Sequence, residues 1–96
     1  MATKNISFRL PVSVIKQGKR FVAHTHALDL STSGRSEKEA KERFEELARV
    51  FFEEITEAGT THDVLSELGW QKVKRMWAPP KVVSSRSIGF TVPVVA

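Results

Sequence analysis

The feature that most narrows what this chain can become is a helix written out almost in full between Ser36 and Gly59. Ser36-Glu37-Lys38-Glu39 is a capping box: the serine hydroxyl accepts from the backbone N–H three residues on, and the glutamate reaches back to a second orphan donor. Ala40, Phe44, Leu47, Ala48, Phe51, Phe52 and Ile55 then recur at steps of three and four, which puts them on one apolar stripe. Glu42, Glu45, Glu46, Glu53 and Glu54 fall largely off that stripe, toward water. Gly59 supplies a left-handed stop. Such a helix is stable only if its stripe is covered, so the rest of the chain has to provide a surface to pack against.

The flanking segments read as a sheet. Ile6, Phe8, Leu10, Val12 and Val14 alternate with Ser7, Arg9, Pro11 and Ser13, the period of a strand with one buried face. Pro11 cannot donate to a ladder and belongs at an edge or a bulge. Gln17-Gly18-Lys19 is a hairpin-sized turn into a second strand that opens with Phe21-Val22-Ala23 in a run to Leu28, so the two should pair antiparallel. Leu30 to Ser33 forms a third short strand ended by Gly34. Thr60 and Asp63 repeat the capping pattern, Val64, Leu65 and Leu68 mark a short second helix, and Gly69 stops it. Trp70 to Trp77 reads as extended. Ala78-Pro79-Pro80 breaks it, Ser84 to Ser87 is a loop, and Ile88, Phe90, Val92 and Val94 alternate as a final strand whose Pro93 marks an edge. The expectation is one α+β domain over residues 1–96: a mainly antiparallel sheet with one long amphipathic helix and one short helix on one face.

Chemistry is sparse. The chain has no cysteine, which removes disulfides and thiolate sites and fits a reducing, cytoplasmic setting. Met1 to Ser7 contain no apolar leader core, and no apolar run approaches the ~20 residues of a membrane span. His24 and His26 lie two apart on the expected second strand and would share a face, with only His62, Asp29 or Asp63 to complete a metal site; no metal or cofactor is expected. The glutamates belong to a solvated helix face rather than a catalytic cleft, and the first two strands hold no acid before Asp29, so a ribonuclease-type carboxylate cluster is not expected either. Ser31, Ser33 and Ser36 lack a neighbouring base, and Ser36 is accounted for as a cap. The expectation is a protein with no catalytic site.

The net charge of +4 is unevenly distributed. Residues 1–28 carry Lys4, Arg9, Lys16, Lys19 and Arg20 and no acid. Every acid lies between Asp29 and Glu67. Residues 68–96 carry Lys72, Lys74, Arg75, Lys81 and Arg86 and again no acid. Either the basic ends neutralise the acidic middle, within the fold or across a dimer, or one surface meets a charged partner. Lys72, Lys74, Arg75, Trp77 and Arg86 combine bases with an aromatic, a pattern that can neutralise phosphates and stack bases.

Phe21-Val22-Ala23, the run Ala27-Leu28-Asp29-Leu30-Ser31-Thr32-Ser33-Gly34-Arg35-Ser36, and residues 37–55 together resemble the HicB family of antitoxins. There an aromatic-Val-Ala strand leads to a proline- or leucine-containing segment, a short strand ends in Ser-Gln-Gly, and a Thr or Ser caps a Glu-rich helix. Thr32-Ser33-Gly34 and Ser36 occupy those places. Leu68-Gly69-Trp70 and Trp77-Ala78-Pro79-Pro80 are similar to the tail of short HicB-like proteins. The resemblance spans roughly residues 6–80. It implies a partial ribonuclease-H-like β-β-β-α-β fold without catalytic acids, a role in occluding a small basic toxin that cleaves messenger RNA, and assembly into a homodimer or larger oligomer. Residues 78–96 are too few and too strand-like for an added helix-turn-helix. In a chain of net positive charge, the toxin-facing surface would be the acidic helix face through Glu42, Glu45, Glu46 and Glu53, and the final strand, Ile88, Phe90, Val92 and Val94, would be an oligomer edge. The alternative is a small basic nucleic-acid-binding module using Lys72, Lys74, Arg75, Trp77 and Arg86.

Overall fold

The computed structural model describes residues 9–95. Their elements follow the order β1 (Ser13–Gln17), β2 (Arg20–Thr25), β3 (Leu30–Gly34), α1 (Glu37–Glu57), α2 (Thr61–Glu67), β4 (Gln71–Val73) and β5 (Met76–Ala78). β1, β2 and β3 form a three-stranded antiparallel sheet in that order, and β4 and β5 a separate two-stranded one. α1 packs on one face of the larger sheet, so the protein is an α+β fold of the expected kind.

Strand alternation decides which residues meet α1. Ala23 and Thr25 are fully buried and Phe21 half-buried on one face of β2. The register sets Val14 and Thr32 beside Ala23, and Leu30 beside Thr25. On the other face Ile15, Val22 and Ser33 form one row, and Ser13, His24 and Ser31 the next. From the helix side Ala40, Phe44, Ala48 and Ile55 complete the core, together with Ala27, Leu28, Leu65 and Trp70. Several of these are alanines, and a small side chain at the contact lets a helix approach a sheet closely.

The helix ends follow the sequence closely. Ser36 has extended dihedrals and its Oγ accepts from the Glu39 N–H at 3.1 Å. Glu39 reaches back one residue further than a standard capping box, its Oε1 accepting from the Arg35 N–H at 3.2 Å. At the other end Gly59 is left-handed (φ 70°), with Thr60 N–H donating to Ile55 O and Gly59 N–H to Thr56 O, the paired bonds of a Schellman stop. α2 ends in the same way: Gly69 has φ 88°, and Trp70 N–H donates to Leu65 O. Its start differs from expectation. Thr60 makes no side-chain cap, and its hydroxyl instead donates back to the Ile55 carbonyl at 3.4 Å.

Three other expectations are corrected. The first strand does not run through Arg9 to Val12; β1 begins at Ser13, beyond Pro11, whose missing N–H cannot join a ladder. Ile6 and Phe8 lie outside the described residues. Trp70 to Trp77 is not one extended segment but the β4–β5 hairpin, turning at Lys74 with φ 59°. Finally, Ile88, Phe90, Val92 and Val94 form no strand: residues 81–95 have no regular structure and are all exposed. A strand exists only as a member of a ladder, and among the described residues this segment is paired with no other.

Candidate functional site

Two charged surfaces emerge. The first is the outward side of α1. Glu42, Glu46, Arg49 and Glu53 succeed one another at steps of three and four opposite Phe44 and Ala48, with Glu45 on the flank, and all are exposed. Much of this negative charge is countered locally. Lys38 pairs with Glu42 (3.9 Å), and Arg49 lies between Glu46 (3.8 Å) and Glu53 (3.5 Å). Lys41–Glu37 and Arg43–Glu39 continue the pattern toward the N-terminus. Exposed pairs of this type hold side-chain geometry and contribute at most about 1 kcal/mol each.

The balance changes past Arg49. Glu53, Glu54 and Glu57 are exposed on the last two turns, and the last turn carries no base. Glu54 and Glu57 stand at the negative end of the helix dipole, where an acid destabilises and a base would stabilise. Asp63 and Glu67 of α2 follow, also exposed. Negative charge therefore concentrates at the C-terminal end of α1 rather than along its whole face. Glu57 was not singled out by spacing; the signal for it in the sequence is the gap in basic residues between Arg49 and Lys72.

The second surface is the β4–β5 hairpin. Lys74 and Arg75 form its exposed tip, and Lys72 sits opposite Trp77 in register with its Nζ 5.8 Å from the ring centre. Trp77 is half-buried and meets His62 edge-on at 5.5 Å. Trp70, only 3% exposed, donates from Nε1 to the Ala27 carbonyl at 2.7 Å and packs edge-on against Phe52. Both indoles are thus engaged in holding the hairpin to the body, which leaves little open ring face for base stacking. Arg86 is not gathered with this cluster; it lies on the exposed C-terminal segment.

The histidines separate. His24 lies on the uncovered face of the sheet between Ser13 and Ser31. β2 ends at Thr25, so His26 falls in the following turn, where its Nε2 is 3.4 Å from the Pro80 carbonyl. Asp29 is a turn residue too, with φ 51°, a conformation aspartate tolerates better than most. Among the described residues no group of three or more His, Asp or Glu side chains is arranged to hold a metal ion. A shallow depression of about 540 Å³ is lined by Ser36, Glu37, Lys38, Lys41 and Glu42, with the Ser36 hydroxyl occupied in the cap.

Glu42, Glu46 and Glu53 share the outward side of α1, and Glu57 continues it one turn further on. Lys72, Lys74, Arg75 and Trp77 share a hairpin. Ile88, Phe90, Val92 and Val94 stand apart from both on the C-terminal segment. In comparisons with known proteins, no family model, no curated protein and no solved structure matches this chain.

Proposed function

We propose that this chain is a non-catalytic binding protein of the HicB-like antitoxin kind, which engages and occludes a small basic toxin that cleaves messenger RNA. The observation that carries the reading is the uncompensated acid at the end of α1. Glu54 and Glu57 occupy the last turn, where acids weaken the helix and no base stands, and a basic partner supplies the compensation that this turn does not. Electrostatic complementarity of this kind speeds encounter and selects partners. The succession of three antiparallel strands and a capped helix is consistent with the partial ribonuclease-H-like arrangement of that family. The loss of both indoles to packing weighs against a base-stacking module.

The test is capture from native lysate, with and without nuclease. The expected result is a small basic protein that stays bound after nuclease treatment and whose cleavage of messenger RNA is suppressed by added chain. Replacing Glu54 and Glu57 by lysine should weaken that binding at least tenfold while raising helix stability by about 0.3–1 kcal/mol per site. Equal binding by the double variant would remove this end of α1 from the interface. Recovery of RNA or DNA alone, lost log-linearly as salt rises, would instead establish the basic hairpin as the functional surface.

A further inference from the structure

The C-terminal segment has properties that a mere loop does not need. Ile88 is 74% exposed and Phe90 84%, and Val92 and Val94 are equally bare. Residues 87–95 carry no charge, so the segment lacks the charged side chains that usually protect an unpaired strand. Residues 81–95 are all exposed, and the molecule is elongated, measuring 66 × 28 × 20 Å with a radius of gyration of 17.0 Å, against about 12.5 Å for a compact chain of this length.

We propose that residues 87–95 form an arm that is exchanged between two copies of this chain, each arm adding a strand to β1 of its partner. Three observations support it. First, among the described residues β1 is the open edge of the larger sheet. At the β3 edge, Arg43 of α1 donates to the Ser33 carbonyl at 3.1 Å, whereas Ser13, Ile15, Lys16 and Gln17 of β1 are exposed, Ile15 by 49%.

Second, Pro93 makes the arm one-sided. In an extended strand the amides of alternate residues point to opposite edges. The edge carrying the amides of Gly89 and Thr91 is interrupted at Pro93, which has no N–H. The edge carrying the amides of Ile88, Phe90, Val92 and Val94 is intact, and it is the one that can pair. Set against β1, it brings the apolar row beside an apolar residue in either direction: antiparallel, beside Val14 on the face under α1; parallel, beside Ile15 on the outer face. Pro93 then caps the far edge, so growth stops at a closed pair.

Third, the area suffices. Four apolar side chains per arm at roughly 60–120 Å² each, doubled by symmetry and matched by the acceptor, give on the order of 1,000–2,000 Å², the range of stable interfaces (~1,200–2,000 Å²).

The test uses the purified full chain with no other partner, so its failure leaves the acidic-surface reading untouched. Native mass measurement should give twice the 10.8 kDa chain mass. Phe90→Asp and Val92→Asp should each return it to the single-chain mass, with the helical circular-dichroism signal retained and only strand signal lost. The natural chain has no cysteine, which makes cross-linking clean. A chain carrying Val14→Cys or Ile15→Cys, co-expressed with a differently tagged chain carrying Phe90→Cys or Val92→Cys, should form a mixed disulfide, and the acceptor position reports strand direction. A single-chain mass at about 100 μM, where a stable interface of this size is saturated, would overturn the proposal. So would cross-links confined to double variants of one chain, which would place the arm on its own β1, or a polydisperse mass, which would mean open-ended aggregation.

Discussion

Gly34 provides the sharpest test of how β3 and α1 fit together. It is buried at the end of β3 opposite Phe21, and the chain turns through Arg35 and Ser36 so that the first turn of α1 folds back over it. A Cβ built on Gly34 would lie 2.6 Å from the Ala40 nitrogen, 3.0 Å from the Glu39 carbonyl carbon and 3.1 Å from the Ala40 Cα. All three are backbone atoms of a hydrogen-bonded helix: Ala40 N–H donates to Ser36 O at 3.0 Å. No side chain can swing aside, so Gly34→Ala has to displace either the strand end or the first helical turn.

Overpacking of this kind costs about 1–3 kcal/mol, and loosening the Ser36 cap adds about 1 kcal/mol. The expected loss is therefore about 2–4 kcal/mol, a large part of the roughly 5–14 kcal/mol available to a chain of this size. At about 4–8 °C per kcal/mol, the melting temperature should fall by at least ~8 °C. Urea titration should show the same loss as a lower midpoint with unchanged slope. Gly89→Ala is the matched control, because its added Cβ meets nothing within 4 Å; it should stay within about 0.5 kcal/mol of the parent. A Gly34→Ala protein as stable as that control would refute the close approach of α1 to β3.

Two further substitutions probe the hairpin. Trp70→Phe removes the N–H that satisfies the Ala27 carbonyl; a buried carbonyl left without its donor costs about 1–3 kcal/mol, measurable as a lower denaturation midpoint, and no loss would mean that water replaces the indole. Lys74→Gly should stabilise the protein by about 1 kcal/mol, since a left-handed φ strains a side-chain-bearing residue and not glycine; an unchanged or lower melting temperature would argue that the Lys72–Trp77 contact, not the turn, limits hairpin stability.

The elements with self-contained signals were legible in the sequence. α1 announces both ends and its buried face, because caps, stripe and stop act within a few residues of one another, and the first hairpin does so through Gly18. The β4–β5 turn was not legible, because Lys74 and Arg75 are not the residues that normally mark a left-handed turn. The Ile88–Val94 alternation states a preference for strand without stating where the partner edge is, and among the described residues the segment pairs with none. The site was half legible: composition located the acid on the helix, but which acids remain uncompensated depends on where Lys38, Lys41, Arg43 and Arg49 reach.

If the basic ends balanced the acidic middle within one molecule, ion pairs would join β1, β2 or the hairpin to α1. The Lys and Arg ion pairs among the described residues number five, and all lie inside α1. Arg20 of β2 instead bonds the Ser33 hydroxyl, and Lys72 lies over Trp77. The acids at the end of α1 and the bases at the hairpin tip thus face outward with opposite sign on one small protein. Such a surface is neutralised by association, through a basic partner on α1 or through a second copy. In either case raising ionic strength should weaken the association, whereas the uncharged arm should hold its partner strand in high salt, so that salt alone separates the two contacts.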